Sequence, residues 1–196
     1  IVCEGVNYGL ANVQVTVSLD GMEKTAYTDI LSYPSDENTA PWKTVNFGKS
    51  KGGMRLNKDN TINILTSGND FFNPPDDGTF IYRECSAKKV RIECEIRSVT
   101  GDSITADTAF GPMIRADLTD TSHYVMFRYK FGVLGSVLTY RNTETAAGFG
   151  SVLDESIKTF DMPVKIRVEK DGDIIKSSIL SGDKWYETKE VLCPMP

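Results

Sequence analysis

The chain has 196 residues, 40% of them hydrophobic and 25% charged, which excludes intrinsic disorder and suits a folded domain. Lys and Arg number 22 against 27 Asp and Glu, and the net charge of −5 argues against a general nucleic-acid binder. No apolar run reaches the ~18 residues of a membrane span, and about 70% of the unfolded surface is expected to be buried at this size.

The sequence opens at Ile1 with no Met and no signal-peptide pattern, as expected of a module drawn from a longer protein. Cys3, Cys85, Cys94 and Cys193 form no C-x-x-C pair, and one histidine leaves little scope for zinc. Cys3 and Cys193, near the termini, either bridge if the end strands pair or stay as unpaired thiols. Residues 13–19 alternate apolar and polar side chains and predict a half-buried strand closed by Asp20-Gly21. Residues 1–31 are expected as the first strands of one module spanning 1–196, or as a supplementary strand pair, because about 30 residues cannot bury a core alone. Residues 32–41, with Pro34 and Pro41, are the most linker-like stretch.

The same period of two predicts strands at 61–65 and 90–97, the latter placing Cys94 on a face with Val90, Ile92 and Ile96. It recurs at 111–118, 123–131, 136–141, 164–169, 174–180 and 185–192. Residues 143–159 hold at most one short helix. Asp77-Gly78, Gly101-Asp102, Asp171-Gly172-Asp173 and Gly182-Asp183 supply turns between the strands. Many short strands with such punctuation predict an all-β fold, an antiparallel β-sandwich or a barrel.

Alternation also sorts the faces. Along 123–131 one side carries His123, Val125, Phe127, Tyr129 and Phe131, the core side, and the other carries Tyr124, Met126, Arg128 and Lys130. Along 111–118 the side away from the core carries Met113, Arg115 and Asp117. With neighbouring strands about 4.8 Å apart, Arg115, Arg128, Lys130 and Arg141 would form a basic patch beside Tyr124. Arginine forks suit carboxylates and a tyrosine ring suits the apolar face of a sugar, so these five are the candidate ligand-binding residues. The competing expectation is a solvated face whose charges pair across strands, most of all for Arg91, Glu93, Glu95 and Arg97. Tyr8, Tyr33, Phe71 and Phe72 fall in loop-like sequence, and Phe71-Phe72-Asn73-Pro74-Pro75 is either a wall at one end of the sandwich or a plug over its core.

Three segments carry a resemblance. The first is Trp42-Lys43-Thr44-Val45-Asn46-Phe47-Gly48, with Ser67-Gly68-Asn69-Asp70-Phe71 and Phe80-Ile81-Tyr82. The second is Phe110-Gly111-Pro112-Met113-Ile114-Arg115-Ala116-Asp117, with Ser122-His123-Tyr124 and Tyr140-Arg141. The third runs from Val164-Lys165-Ile166-Arg167-Val168 to Ser181-Gly182-Asp183-Lys184-Trp185. Over roughly 42–188 they resemble the concanavalin-A-like, laminin-G-like jelly rolls that accompany secreted polysaccharide-degrading enzymes. The resemblance implies a jelly-roll sandwich and places Trp42 and Trp185 as packing residues. It also suggests a structural calcium, for which Asp70, Asp76 and Asp77 are the candidate ligands, against the simpler reading of Asp-rich turns.

No enzyme is expected. Glu93 and Glu95 share a strand face but are flanked by Arg91 and Arg97, which favours both ionised forms and works against a general acid. Tyr129-Lys130-Phe131-Gly132 only faintly resembles an alginate-lyase motif, and His123 falls on the core side. The expected function is a non-catalytic carbohydrate-binding module, secreted or at the cell surface, that binds a plant-type polysaccharide, with acidic, pectin-like chains among the candidates, within a multimodular parent. It involves neither nucleic acid nor membrane. The alternatives are a protein-interaction or scaffold sandwich and, less favoured, a polysaccharide lyase or glycoside hydrolase.

Overall fold

The computed structural model describes residues 9–19, 22–32, 41–101, 104–106, 108–130, 136–143, 149–152 and 161–195, with backbone alone for 9–32 and 149–152. The chain divides into two compact units, Ile1–Asn69 with Gly78–Arg83, and Asp70–Asp77 with Glu84–Pro196. Every element among the described residues is a strand; none is a helix long and apolar enough to cross a membrane.

The first unit holds three antiparallel strand pairs: β1 (Gly9–Leu19) with β2 (Met22–Ser32), β3 (Lys43–Asn46) with β6 (Thr79–Tyr82), and β4 (Gly52–Leu56) with β5 (Ile62–Thr66). The register ends with Leu19 paired to Met22; the turn expected at Asp20-Gly21 lies outside the described residues. Met54 and Phe47 are buried, and the Ser50 hydroxyl meets the Thr79 hydroxyl at 2.9 Å and the Ser67 carbonyl.

The second unit holds two five-stranded antiparallel sheets. One contains β8 (Ala109–Phe110), β9 (Met113–Arg115), β10 (Tyr124–Lys130), β11 (Val137–Arg141) and β12 (Phe149–Val152), in the order β12-β11-β10-β8 with β9 also on β10. The other contains β7 (Lys89–Ile96), β13 (Val164–Asp171), β14 (Ile174–Ser181), β15 (Lys184–Glu187) and β16 (Val191–Leu192), in the order β15-β14-β13-β7 with β16 on β14. Val125, Phe127, Tyr129 and Leu138 from the first sheet share one core with Val164, Ile166, Val168, Ile175 and Ile179 from the second. Two sheets burying their inner faces against each other are consistent with a β-sandwich.

Several elements depart from the sequence expectation. Residues 143–159, expected to hold at most a helix, contain strand β12, and their remaining central residues lie outside those described. The strand expected at 111–118 shortens to β9 at Met113–Arg115: Gly111, at φ 151°, stands between β8 and β9, and a Cβ there would overlap the Phe127 carbonyl oxygen. The strand expected at 185–192 divides into β15 and β16. The β13–β14 turn follows expectation, with Gly172 at φ 59° and Asp171 paired with Ile174.

Cys193 does not form the terminal bridge. Its thiol is free and fully buried, 3.5 Å from the Arg141 carbonyl and 3.7 Å from that of Tyr124; Cys3 lies outside the described residues. Cys94 is a free, half-buried thiol and Cys85 a free, exposed one. Burial pushes Cys94 and Cys193 from the ordinary 9.0 up to about 11, and Tyr124 from 10.0 up to about 12. The folded state thus holds these protons while the unfolded chain releases them from pH 9 upward. Stability is expected to be flat to pH 8 and to fall from about pH 9 to 12. Urea midpoints measured across pH 7–12 check this; a midpoint unchanged through pH 12 would contradict the burial of these groups.

Candidate functional site

The central strand β10 is buried along its first six residues, on both faces. Its inner side chains enter the shared core. On its outer face the register puts Arg115 of β9 and Arg141 of β11 directly either side of Tyr124. Arg128 lies four residues along the same face, beyond Met126.

The segment Asp70–Asp77 supplies this outer face with its carboxylates. Asp76 is fully buried; its Oδ2 accepts from Arg115 Nη2 at 2.8 Å and its Oδ1 from Arg141 Nη2 at 2.7 Å. The Arg115 and Arg141 side chains are 1% and 0% exposed. Arg115 also donates to the carbonyls of Asp117 and Thr119, and Arg141 to those of Ser122 and Phe71. Arg128 Nη2 donates to Asp70 Oδ1 at 2.7 Å, an oxygen that also accepts from the Phe71 amide. Asp77 bridges back to Asp70, its amide donating to the Asp70 carbonyl at 2.8 Å, and the Asp76 amide donates to Asp120. Three guanidiniums lie over rings: Arg115 over Phe71 at 5.9 Å, Arg128 over Phe72 at 5.4 Å and Arg141 over Tyr124 at 4.8 Å.

The expected open basic patch is therefore corrected in one respect. Arg115, Tyr124, Arg128 and Arg141 do gather on one face, but they are buried there with carboxylates of their own chain. Lys130 is half-buried at the end of β10. The calcium ligand set does not fit: both Asp76 oxygens are on arginines, and no three Asp, Glu, His or Cys side chains gather as metal ligands among the described residues. His123 is outside the core; it precedes β10, is half-buried and has Nδ1 3.2 Å from the Pro194 carbonyl. Phe131, Tyr8 and Tyr33 lie outside the described residues.

The outer face of the other sheet behaves as a solvated, self-paired surface. β7 alternates strictly, with Arg91, Glu93 and Glu95 exposed. Across its register with β13, Glu95 faces Lys165, Glu93 faces Arg167, Arg91 faces Glu169 and Lys89 faces Asp171, opposite charges in every case. Lys89–Asp171 closes to 2.7 Å, and Glu93 accepts from Arg91 at 2.8 Å and Arg167 at 3.0 Å. Hydrogen bonds from Arg91 and Arg167 hold the Glu93 carboxyl below its usual range. Arg167 also lies 4.0 Å over Trp185, and Arg83 lies 5.7 Å over Trp42.

What the sequence reading missed is the role of Asp76. Its partners stand 39 and 65 residues away, and only the Asp-Asp pair itself marked the position. Comparison with family models, curated proteins and solved structures gives no match.

Proposed function

We propose that the chain is a non-catalytic carbohydrate-binding module of a secreted glycan-degrading protein, its sandwich of the concanavalin-A-like, jelly-roll class. Plant-type polysaccharide is the ligand and the edge formed by residues 70–75 is the contact. The observation that carries this is how firmly that edge is held. Phe71 and Phe72 are half-buried with a guanidinium over each ring, the Phe71 carbonyl is taken by Arg141, and Asn73 and Pro75 are exposed. Aromatic rings suit the apolar face of a sugar, and a pre-ordered loop loses less freedom on binding than a mobile one.

Under this reading Arg115, Arg128 and Arg141 support the edge rather than touch the ligand, which favours a neutral chain and weak salt dependence over a pectin-like one. The arginine partners of Glu93 favour its ionised form, which supports a role without a general acid. Tethering then raises local substrate concentration for a partner enzyme.

The test is retention on xylan, glucomannan, β-glucan, alginate and polygalacturonate at low and high salt, with calcium or chelator. Phe72→Ala is expected to weaken retention on a neutral glycan about tenfold or more without unfolding the protein. Retention confined to the acidic glycans and lost with salt would move the contact to a charged surface. Failure on every glycan would favour an interaction module instead. One observation favours that second reading: Ile174 and Leu192, 49% and 64% exposed, pair directly across β14 and β16.

A further inference from the structure

We infer that the arginine cluster beneath Asp70–Asp77 holds a small monovalent anion, of halide size, against Tyr124 and Arg141. This is independent of the carbohydrate reading and concerns the interior of the cluster rather than its surface edge.

Three polar atoms there are buried and have no hydrogen-bond partner among the described residues: Tyr124 Oη, Arg128 Nε and Arg141 Nε. Tyr124 and Arg141 are fully buried and Arg128 is 5% exposed. Buried polar groups in folded proteins almost always find partners, so three orphans in one cluster call for a physical cause. The two guanidinium nitrogens can only donate, and the phenol, raised to about 12, keeps its proton and donates too. An acceptor is what this set lacks.

Several of the protein's own acceptors in the cluster are already engaged. Both Asp76 oxygens bind arginine Nη2 atoms, and Asp70 Oδ1 takes Arg128 Nη2 and the Phe71 amide. The carbonyls of Thr119 and Phe71 accept from those same Nη2 atoms of Arg115 and Arg141, and that of Ser122 from Arg141 Nη1. Charge points the same way. Three guanidiniums, each 6% exposed or less, are set against one fully buried carboxylate, Asp76; Asp70 is 37% exposed, Asp77 is half-buried, and Asp117 is exposed and tied to the Thr119 hydroxyl and amide. A buried excess of positive charge favours an acceptor that is itself an anion over a neutral water. Arg141 lies 4.8 Å from the Tyr124 ring, so its Nε and the phenol share one neighbourhood, and the charges nearest that phenol are Arg141, Arg128, Asp76 and Asp70.

The test uses the full chain and bromide, in two arms. Crystals grown in sodium bromide are expected to give an anomalous peak within hydrogen-bond distance of Tyr124 Oη and Arg141 Nε. In solution, bromide is expected to raise the unfolding midpoint saturably over sodium gluconate of equal ionic strength. Tyr124→Phe, which keeps the ring and removes only the donor, should weaken the apparent bromide affinity tenfold or more. A water without anomalous signal between the donors would overturn the inference. So would a bromide effect that never saturates, or one unchanged in Tyr124→Phe.

Discussion

Asp76→Ala is expected to destabilise the second unit by about 3–5 kcal/mol, because it leaves Arg115 and Arg141 buried without their shared carboxylate. The loss follows from what stays behind. Each guanidinium was desolvated on folding, and the carbonyls of Ser122, Phe71, Asp117 and Thr119 offset only part of that. In a domain of this size the change corresponds to a fall of about 10 °C in Tm. Asp76→Asn, which keeps an acceptor but not the charge, should fall between the two. Buried ion networks add little net stability compared with apolar packing of the same shape. Joint replacement of Asp76, Arg115 and Arg141 by leucine and methionines should therefore recover most of the lost stability while releasing the 70–75 edge. Urea unfolding monitored by near-ultraviolet circular dichroism checks both points. An Asp76→Ala protein within 0.5 kcal/mol of the parent would mean that the arginines do not depend on this carboxylate.

Gly111→Ala is the second large expected effect, at about 3 kcal/mol or more. The new Cβ would have to displace the Phe127 carbonyl oxygen, and the backbone would have to leave φ 151°. Gly111 stands between β8 and β9, both paired with β10, and Pro112 accepts from the Phe127 amide at 3.0 Å. Moving that junction therefore disturbs Arg115 as well as the core. Gly172→Ala is the control: at φ 59° its Cβ meets nothing within 4 Å, and the backbone strain alone should amount to about 1–2 kcal/mol. Equal losses in the two variants would show that the close approach at Gly111 adds nothing.

How much was legible in the sequence depended on how many faces of a strand are covered. β7 was readable residue by residue, because it is an edge strand with one face in the core and one in solvent. β10 was located correctly and its core side named correctly for Val125, Phe127 and Tyr129. Its other side looked exposed because Tyr124, Arg128 and their neighbours are polar, and a period of two cannot show that a loop covers them. Arg115 and Arg141 were set beside Tyr124 only on condition that their strands neighbour one another, because alternation fixes the face of a residue and not its cross-strand partner; the register meets that condition. The acidic partners of the arginines were not foreseen: Arg128 reaches Asp70 across 58 residues and Arg141 reaches Asp76 across 65, distances at which a single sequence carries no pairing signal. The junction at Gly111 was hidden for a related reason, because a close approach to a neighbouring strand leaves no trace in local composition.

The interleaved chain path bears on how this protein can be cut and recombined. A fragment starting at Glu84 keeps every strand of both five-stranded sheets yet leaves Asp70 and Asp76 behind in the excised part. Its three arginines would then lose the carboxylates of Asp70 and Asp76, so a cut at Glu84 does not yield a transplantable sandwich. Grafting the second unit elsewhere requires a cut before Asp70 instead, which carries Gly78–Arg83 along, including strand β6 without its β3 partner.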